Sequence, residues 1–304
     1  MRSPVPAALA GERLDRAVAI LTGLARARVA ELVAQGGVRL GGQAVTSRSR
    51  RVVEGEELEV DVVVQDAARP TPEPGVAVPV VHADADVVVV DKPAGMVVHP
   101  GAGNASGTLV HGLLALFPDL AHSPPGDPAR PGVVHRLDKG TSGLLVVART
   151  QDAYASLVGQ MAARTVERRY LALVWGALES AEGVVDAPVG RSSRDPTRMA
   201  VASAGRPART RYAVVGRYTD PAPATLLECS LETGRTHQVR VHLAAIGHPV
   251  VGDARYGGSR LPLRLGRPFL HAHRLAFDHP RTGARTSFAS SLPEELEAIR
   301  ALLR

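Results

Sequence analysis

Between Val133 and Gly143 the chain reads Val-Val-His-Arg-Leu-Asp-Lys-Gly-Thr-Ser-Gly, placing His135, Arg136, Asp138 and Lys139 behind an apolar pair. Gly140 to Gly143 have the composition of a turn. Leu144 to Ala148 then read as a short buried strand. A charged loop is thus wedged between two segments that belong inside. A carboxylate placed there must be paired or solvated, because burying it alone is costly unless it takes up a proton. Asp138 is therefore either half of a loop ion pair, a turn cap, or a carboxylate held for chemistry. A second such group is Arg240, in Thr233-Gly-Arg-Thr-His-Gln-Val-Arg-Val-His-Leu243. Val239, Leu243 and Ile246 form a helical stripe ended by Gly247, with Thr236 as the expected N-cap. A guanidinium flanking that stripe requires a carboxylate partner. A third is Tyr170, on the strand expected over Glu167 to Gly176, where a tyrosine commonly packs in the core with its hydroxyl bonded.

Other candidate chemistries find less support. His237 and His242 are five residues apart, which does not place two ligands on one helix face, so no metal site is expected. Cys229 is the single cysteine and falls in phase with Leu227 and Leu231, a core position; it permits no internal disulfide. No P-loop or dinucleotide glycine pattern is present, and no cofactor is expected. The net charge of +6 suggests a polyanionic partner, and nearly all of the positive charge is arginine, since Lys92 and Lys139 are the only lysines. No apolar run approaches the roughly 20 residues of a membrane helix, and the first ten residues lack a signal-peptide core. A soluble cytoplasmic protein is expected.

Around these groups the periodicity predicts two helices, Glu12 to Leu21 and Arg26 to Gln35, then a hairpin over Val38 to Val45, then a strand pair over Val52 to Val62. Arg26, Arg28, Arg39, Arg48, Arg50 and Arg51 stand against a single acid, Glu31, from Arg26 to Arg51. Clustered Arg can make several phosphate contacts. Residues 66–79 are Pro-rich and read as a semi-rigid linker. Val87 to Val90 predict a buried strand, Thr108 to Phe117 a helix with Leu109, Leu113 and Leu116 on its apolar face, and Gln151 to Ala163 another. Arg191 to Pro207 read as a basic surface loop able to reach a phosphate backbone. Tyr212 to Tyr218 and Thr225 to Leu231 predict paired strands. Pro293 to Leu303 predict a helix with Leu296, Ile299, Leu302 and Leu303 apolar.

The order His135-Arg136-Leu137-Asp138-x-x-Thr141-Ser142-Gly143 resembles the signature of the RluA-type pseudouridine synthases. The resemblance extends to Lys92-Pro93-x-Gly95, to Arg168-x-Tyr170-x-Ala172-Leu173-Val174-x-Gly176, to Thr233-Gly-Arg-Thr-His-Gln-x-Arg240-x-His242, and to the segments His248 to Asp253 and Leu270 to Pro280. Two departures stand out: Gly140 where members near the D-like branch often carry Asp, and Arg168 in place of the usual lysine. The leading segment, with Arg13-Leu14-Asp15, Arg26-x-Arg28 and Gly36-Gly37-Val38, resembles the S4 RNA-binding domain.

The resemblance implies an α/β protein of the α+β type. A small S4-like module over 12–65 and a linker over 66–79 precede a catalytic domain over 80–304, built on a mixed, largely antiparallel sheet. It implies an isomerase that converts uridines of RNA, in the D-like branch those of large-subunit ribosomal RNA, to pseudouridine. Asp138 is the implied catalytic residue, paired with Arg240, with Tyr170 stacking on the base or moving a proton. Arg136 would fill the gap left by the flipped nucleotide. Arg26, Arg28, Arg48, Arg50 and Arg51 are the expected RNA contacts of the front module. Lys92 and His99 read equally as substrate contacts or as parts of a structural turn. The residue types accommodate attack at C1′, attack at C6, or a glycal route. A monomer is expected. Two rival readings are a non-catalytic ribosome-assembly protein that binds RNA, and a nucleoside hydrolase that releases free base.

Overall fold

A computed structural model of the protein describes residues 2–22, 26–61, 69–101, 103–195 and 197–304, without side chains at 8 and 26–28. The chain forms two units, Met1–Ala68 and Arg69–Arg304.

The small unit contains β1 (Arg2–Pro4), α1 (Leu14–Thr22), α2 (Arg26–Ala34), β2 (Val38–Leu40), β3 (Gln43–Ala44) and β4 (Glu57–Val60). The two helices and the β2–β3 hairpin lie where periodicity placed them. The closing strand pair does not. Val52 is buried but carries no strand. The partners of β4 are β2 and the N-terminal β1, giving the antiparallel order β1-β4-β2-β3. Three residues ending in a proline do not read as a strand, yet an edge position tolerates proline because its N–H is not needed there. Leu14, Val18, Val29, Leu32, Leu40 and Leu58 fill the core between helices and sheet.

The large unit runs β5 (Val80–Ala83), β6 (Val87–Lys92), α3 (Leu109–Leu116), α4 (Asp119–His122), β7 (Ser142–Ala148), α5 (Gln151–Ala163), β8 (Glu167–Trp175), β9 (Glu182–Asp186), β10 (Val189–Arg191), β11 (Met199–Val201), β12 (Arg209–Tyr218), β13 (Ala224–Leu231), α6 (Gln238–Ala245), β14 (Leu270–Asp278), β15 (Arg285–Ala289) and α7 (Glu294–Ala301). Nine strands make one sheet in the order β5-β6-β7-β14-β8-β13-β12-β9, with β15 against β14. Its pairings are antiparallel except β7 with β14. β6 and β7 are buried along nearly their whole length, as expected of sheet covered on both faces. Alternate residues go to different clusters: Val88, Val90, Leu145 and Val147 pack with α3, while Val87, Val89, Leu144 and Val146 pack with α5. Thr150 caps α5 by accepting from Ala153 N at 3.1 Å.

Some expectations need correction. Leu116 and Leu302 are exposed rather than part of the apolar faces of α3 and α7. The segment from Arg191 to Pro207 is not plain loop, since β10 and β11 pair across it. Of the Pro-rich stretch, 62–68 lie outside the described residues. Residues 69–79 run against the large unit, where Glu73 N donates to His111 O at 3.0 Å and Val78 packs on the core. Proline holds such a segment extended, which serves to lay it on a surface as well as to span solvent. Among the described residues, no helix is long and apolar enough to cross a membrane.

Candidate active site

Asp138 stands in a tight turn immediately before β7. Its carbonyl accepts from Thr141 N at 3.0 Å, and its neighbour Leu137 is buried. The turn is braced from two sides: Gly95 N donates to Lys139 O at 2.7 Å, and Arg267 Nη1 to Gly140 O at 3.3 Å. Gly143 has φ +116°, and a Cβ there would fall 2.4 Å from Ala272 O and 2.6 Å from Ala272 N. Only glycine allows β7 to enter the sheet that close to β14. The turn carrying Asp138 is therefore fixed by backbone contacts on either flank.

The partner of Asp138 is Arg240, on α6. Arg240 Nη1 donates to Asp138 Oδ2 at 3.1 Å, while Nε and Nη2 form a fork to Asp253, at 2.6 Å to Oδ2 and 2.9 Å to Oδ1. Burial opposes the Arg240 charge, but the bonds to Asp253 and then to Asp138 outweigh it and raise its pKa above the usual value. Asp253 is 1% exposed and also accepts from Arg255 N at 3.0 Å. Its loop is tied to β8, since Val251 N donates to Leu173 O at 2.8 Å. Asp253 ends the motif segment from His248, and residue order alone assigns it no role. The signal that would have found it is the rule that a buried guanidinium needs its donors matched.

The start of α6 differs from expectation. Its N-cap is His237, in the left-handed region at φ 58°, rather than Thr236. The loop ahead of it is organised by Gln238, whose Oε1 accepts from Arg235 N at 3.0 Å and from the Thr233 hydroxyl at 2.7 Å. The turned His237 ring hydrogen-bonds Tyr256 OH through Nδ1 at 2.8 Å and brings Nε2 to 3.9 Å from Asp138 Oδ2. Burial lowers the His237 pKa despite Asp138, so at neutral pH the ring is uncharged and this approach is not an ion pair. Arg240 also lies 5.1 Å from the centre of the Tyr256 ring.

Lys92 is completely buried at the end of β6 and donates to Pro93 O and Met96 O, each at 2.9 Å. Desolvation pushes its pKa down to about 7, and the charge of Asp138 is what most opposes that fall. Lys92 therefore serves the turn and is felt electrostatically at Asp138. Tyr170 is 5% exposed, and burial raises its pKa. Its phenol is therefore protonated at neutral pH before substrate binds.

Asp138, Tyr170, Arg240, His237 and Arg136 line one cleft of about 690 Å³. Arg136 is exposed at its edge, with Nη1 3.4 Å from His99 Nε2. The five other expected RNA contacts belong to the small unit. Arg48 is exposed. Arg50 pairs with Glu56, and Arg51 Nη1 donates to Gly11 O at 2.6 Å. These last two are tied to their own unit rather than wholly free. The side chains of Arg26 and Arg28 lie outside the described residues. Cys229 is buried, its thiol pushed up to about 12 by burial. Away from the cleft, Asp84, Asp86 and His279 bring ligand atoms within 4.8 Å of one another, but Arg281 forks onto Asp86 and His82 and His279 share Asp84.

The cleft can hold an ionised carboxylate beside a planar aromatic ring in a largely desolvated setting. Arg240 Nη1 and His237 both approach Oδ2, and among the described residues Oδ1 has no hydrogen bond. That leaves Oδ1 as the oxygen able to attack an electrophilic carbon.

His135 gives the large unit an acid sensitivity. Its Nε2 accepts from Val146 N at 3.2 Å, and burial, with the nearby charge of Arg168, lowers its pKa to about 3. An unfolded histidine titrates near 6.5. Between those values the unfolded chain binds the extra proton. The stability contributed by neutral His135 is therefore complete above pH 6.5 and lost as pH falls toward 3, by up to about 1.4 kcal/mol per pH unit. Urea unfolding followed by the fluorescence of Trp175, the single tryptophan, should show a shallower decline from pH 6.5 to 5 for His135→Gln than for wild type. Equal slopes would refute it.

Comparison with known proteins gives a consistent result. A family described as RNA pseudouridylate synthase matches residues 86–245. The ribosomal large subunit pseudouridine synthase D of Nitrosomonas europaea is 44% identical, over 99% of this chain and 87% of its own length. The protein of the same name from Xanthomonas campestris pv. campestris is also 44% identical, over 99% and 91%. Among solved structures, human RNA pseudouridylate synthase domain containing 1 aligns with a TM-score of 0.58 at 29% identity, covering 76% of this chain and 90% of that one.

Proposed function

Since the chain belongs to the RNA pseudouridylate synthase family, a family of isomerases acting on RNA, we propose that it isomerises uridines of large-subunit ribosomal RNA with Asp138 as nucleophile. The observation that carries the role of Asp138 is Arg240, which donates to that carboxylate at 3.1 Å while itself anchored by the fork to Asp253. An opposite charge at that distance offsets the desolvation that a bound base imposes. The ribosomal target is supported by the names of the two bacterial relatives.

The reaction breaks the C1′–N1 bond of a uridine, turns the base and joins C1′ to C5; the C5 proton is lost to solvent and N1 takes one up, so the product is an isomer of the substrate. It consumes no cofactor. The uridine first leaves its stack, at a cost of a few kcal/mol. Arg136, at the cleft edge and two residues before Asp138, takes the vacated place, where its planar group stacks. Asp138 attacks through Oδ1. Tyr170 supplies a flat wall for the base, and its hydroxyl is the group to move a proton there. A purely RNA-binding role has no use for a half-buried carboxylate paired in this way, and a hydrolase would release uracil. The enzyme acts as a cytoplasmic monomer. Mapping carbodiimide-reactive pseudouridines in large-subunit RNA from cells with and without the protein tests the reading; identical maps would sink it.

The small unit serves as an S4-like RNA-binding module, and residues 66–79 connect it to a catalytic domain over 80–304. Deleting residues 1–68 should weaken RNA binding and blur site choice but spare the chemical step. If three or four arginines touch phosphates, the log-affinity against log-salt slope becomes shallower by roughly 0.7–0.9 per lost contact. Single-turnover rate at saturating RNA should stay within a few-fold. An unchanged salt slope would show that this module does not hold RNA.

A further inference from the structure

Two buried donors in the cleft have no part in the chemistry above. Arg168 lies on β8 two residues before Tyr170, so both side chains leave the same face of the strand. Arg168 is 9% exposed, and its Nε has no hydrogen-bond partner. Its contact with an acceptor is Nη2 to Leu231 O at 3.4 Å, and among the described residues no carboxylate pairs with it. His135 Nδ1 is likewise buried without a partner. Because His135 Nε2 accepts from Val146 N, the ring proton sits on Nδ1, which is a second donor facing no acceptor. Both residues line the same cleft as Asp138 and Tyr170. The Arg168 charge is felt at His135 and at Tyr170 alike. Gly234 makes room for it, since a Cβ there would lie 2.9 Å from Arg168 Nη1.

Buried polar atoms are nearly always bonded, and a buried cation with idle donors is expensive. A set made only of donors calls for acceptor oxygens. Depth decides which oxygens. RNA phosphates stay near solvent and suit the exposed arginines of the cleft edge, Arg136, Arg164 and Arg206. Beside the buried Tyr170 ring the available acceptors are the C2 and C4 carbonyls of the base. We propose that Arg168, seated against Gly234 and seconded by His135, recognises the flipped base by donating to a uracil carbonyl oxygen. This rests on the cleft being the uridine site.

The test uses the full-length protein and tritium release from C5-labelled large-subunit RNA transcripts. Uridine is compared with 2-thiouridine and 4-thiouridine, whose sulfur is a weak acceptor. Arg168→Met should lower kcat/KM by roughly 10- to 100-fold, what one charged hydrogen bond is worth. Arg168→Lys should recover part of that. Gly234→Ala should lose in the same direction with Arg168 intact, because the guanidinium is displaced. In one thio arm wild type should lose rate while Arg168→Met loses no more. Additive losses in both arms would overturn the proposal, as would a shallower salt slope for Arg168→Met, which would place the contact on a phosphate. Absence of release by wild type would overturn the reading of the cleft itself. Release by wild type with Arg168→Met within threefold would overturn this inference alone.

Discussion

Asp138→Asn is expected to abolish tritium release from C5-labelled uridine while RNA affinity stays within a few-fold of wild type. The amide has nearly the shape of the carboxylate but is a far weaker nucleophile. Its oxygen would turn toward Arg240 Nη1, which at present donates to Asp138 Oδ2 at 3.1 Å, so the NH2 group would occupy the place of Oδ1. Arg240 would keep its fork to Asp253, leaving a neutral pair and a folded cleft. Loss of activity in this variant is therefore a chemical loss rather than a structural one, and unchanged thermal unfolding is part of the expected result. Residual release within tenfold of wild type would remove Asp138 from the role proposed for it.

Arg240→Met should fail for the opposite reason: the nucleophile stays but its setting goes. The substitution removes three hydrogen bonds and leaves Asp253, 1% exposed, without its cation. Stranding one partner of a buried pair costs about 3–5 kcal/mol. That should appear as a clear drop in unfolding midpoint for the large unit. Asp138, 17% exposed, would lose the charge that favours its ionised form once a base covers it. Single-turnover rates should fall by about 100-fold or more, since charge preorganised at a desolvated site is worth several kcal/mol. Arg240→Lys should keep the charge but not the fork, and recover only part of either property. A wild-type rate would show that Arg240 does not support Asp138.

Much of this arrangement could be read from residue order. Long periodic segments such as Gln151 to Ala163 and Glu167 to Trp175 formed as their patterns require. The pairing of Arg240 with Asp138, implied by resemblance, is present as a hydrogen bond. What could not be read depends on contacts between distant parts of the chain. The strand over Arg2–Pro4 exists because β4 offers it an edge, not because its residues favour extension. The left-handed His237 reflects Gln238 folding back on Thr233 and Arg235, a side-chain contact that no periodicity reports. Asp253 was visible as a motif residue, but its task depends on a guanidinium 13 positions away whose remaining donors had not been counted. The expected arginine surface of the small unit overlooked Glu56, which lies just beyond the window read and claims Arg50.

The parallel contact between β7 and β14 also bears on when the enzyme becomes competent. In the sheet β14 lies between β7 and β8, although both precede it by roughly a hundred residues of chain. At about 5–20 residues per second, a ribosome takes roughly 5–20 s to supply that length. Until then β7 and β8 each present an unpaired edge, and the turn with Asp138 lacks the Ala272 backbone that seats Gly143 and the Arg267 side chain that holds Gly140. Edges of this kind invite pairing with other chains. The nascent chain thus passes through a window in which Asp138, Tyr170, Arg240 and Asp253 have all been made but the cleft has not, and the segment from Arg267 onward acts as the fastener. A chain stopped before Leu270 should accumulate as aggregate rather than as a weak enzyme, and chaperone dependence should end with the emergence of β14.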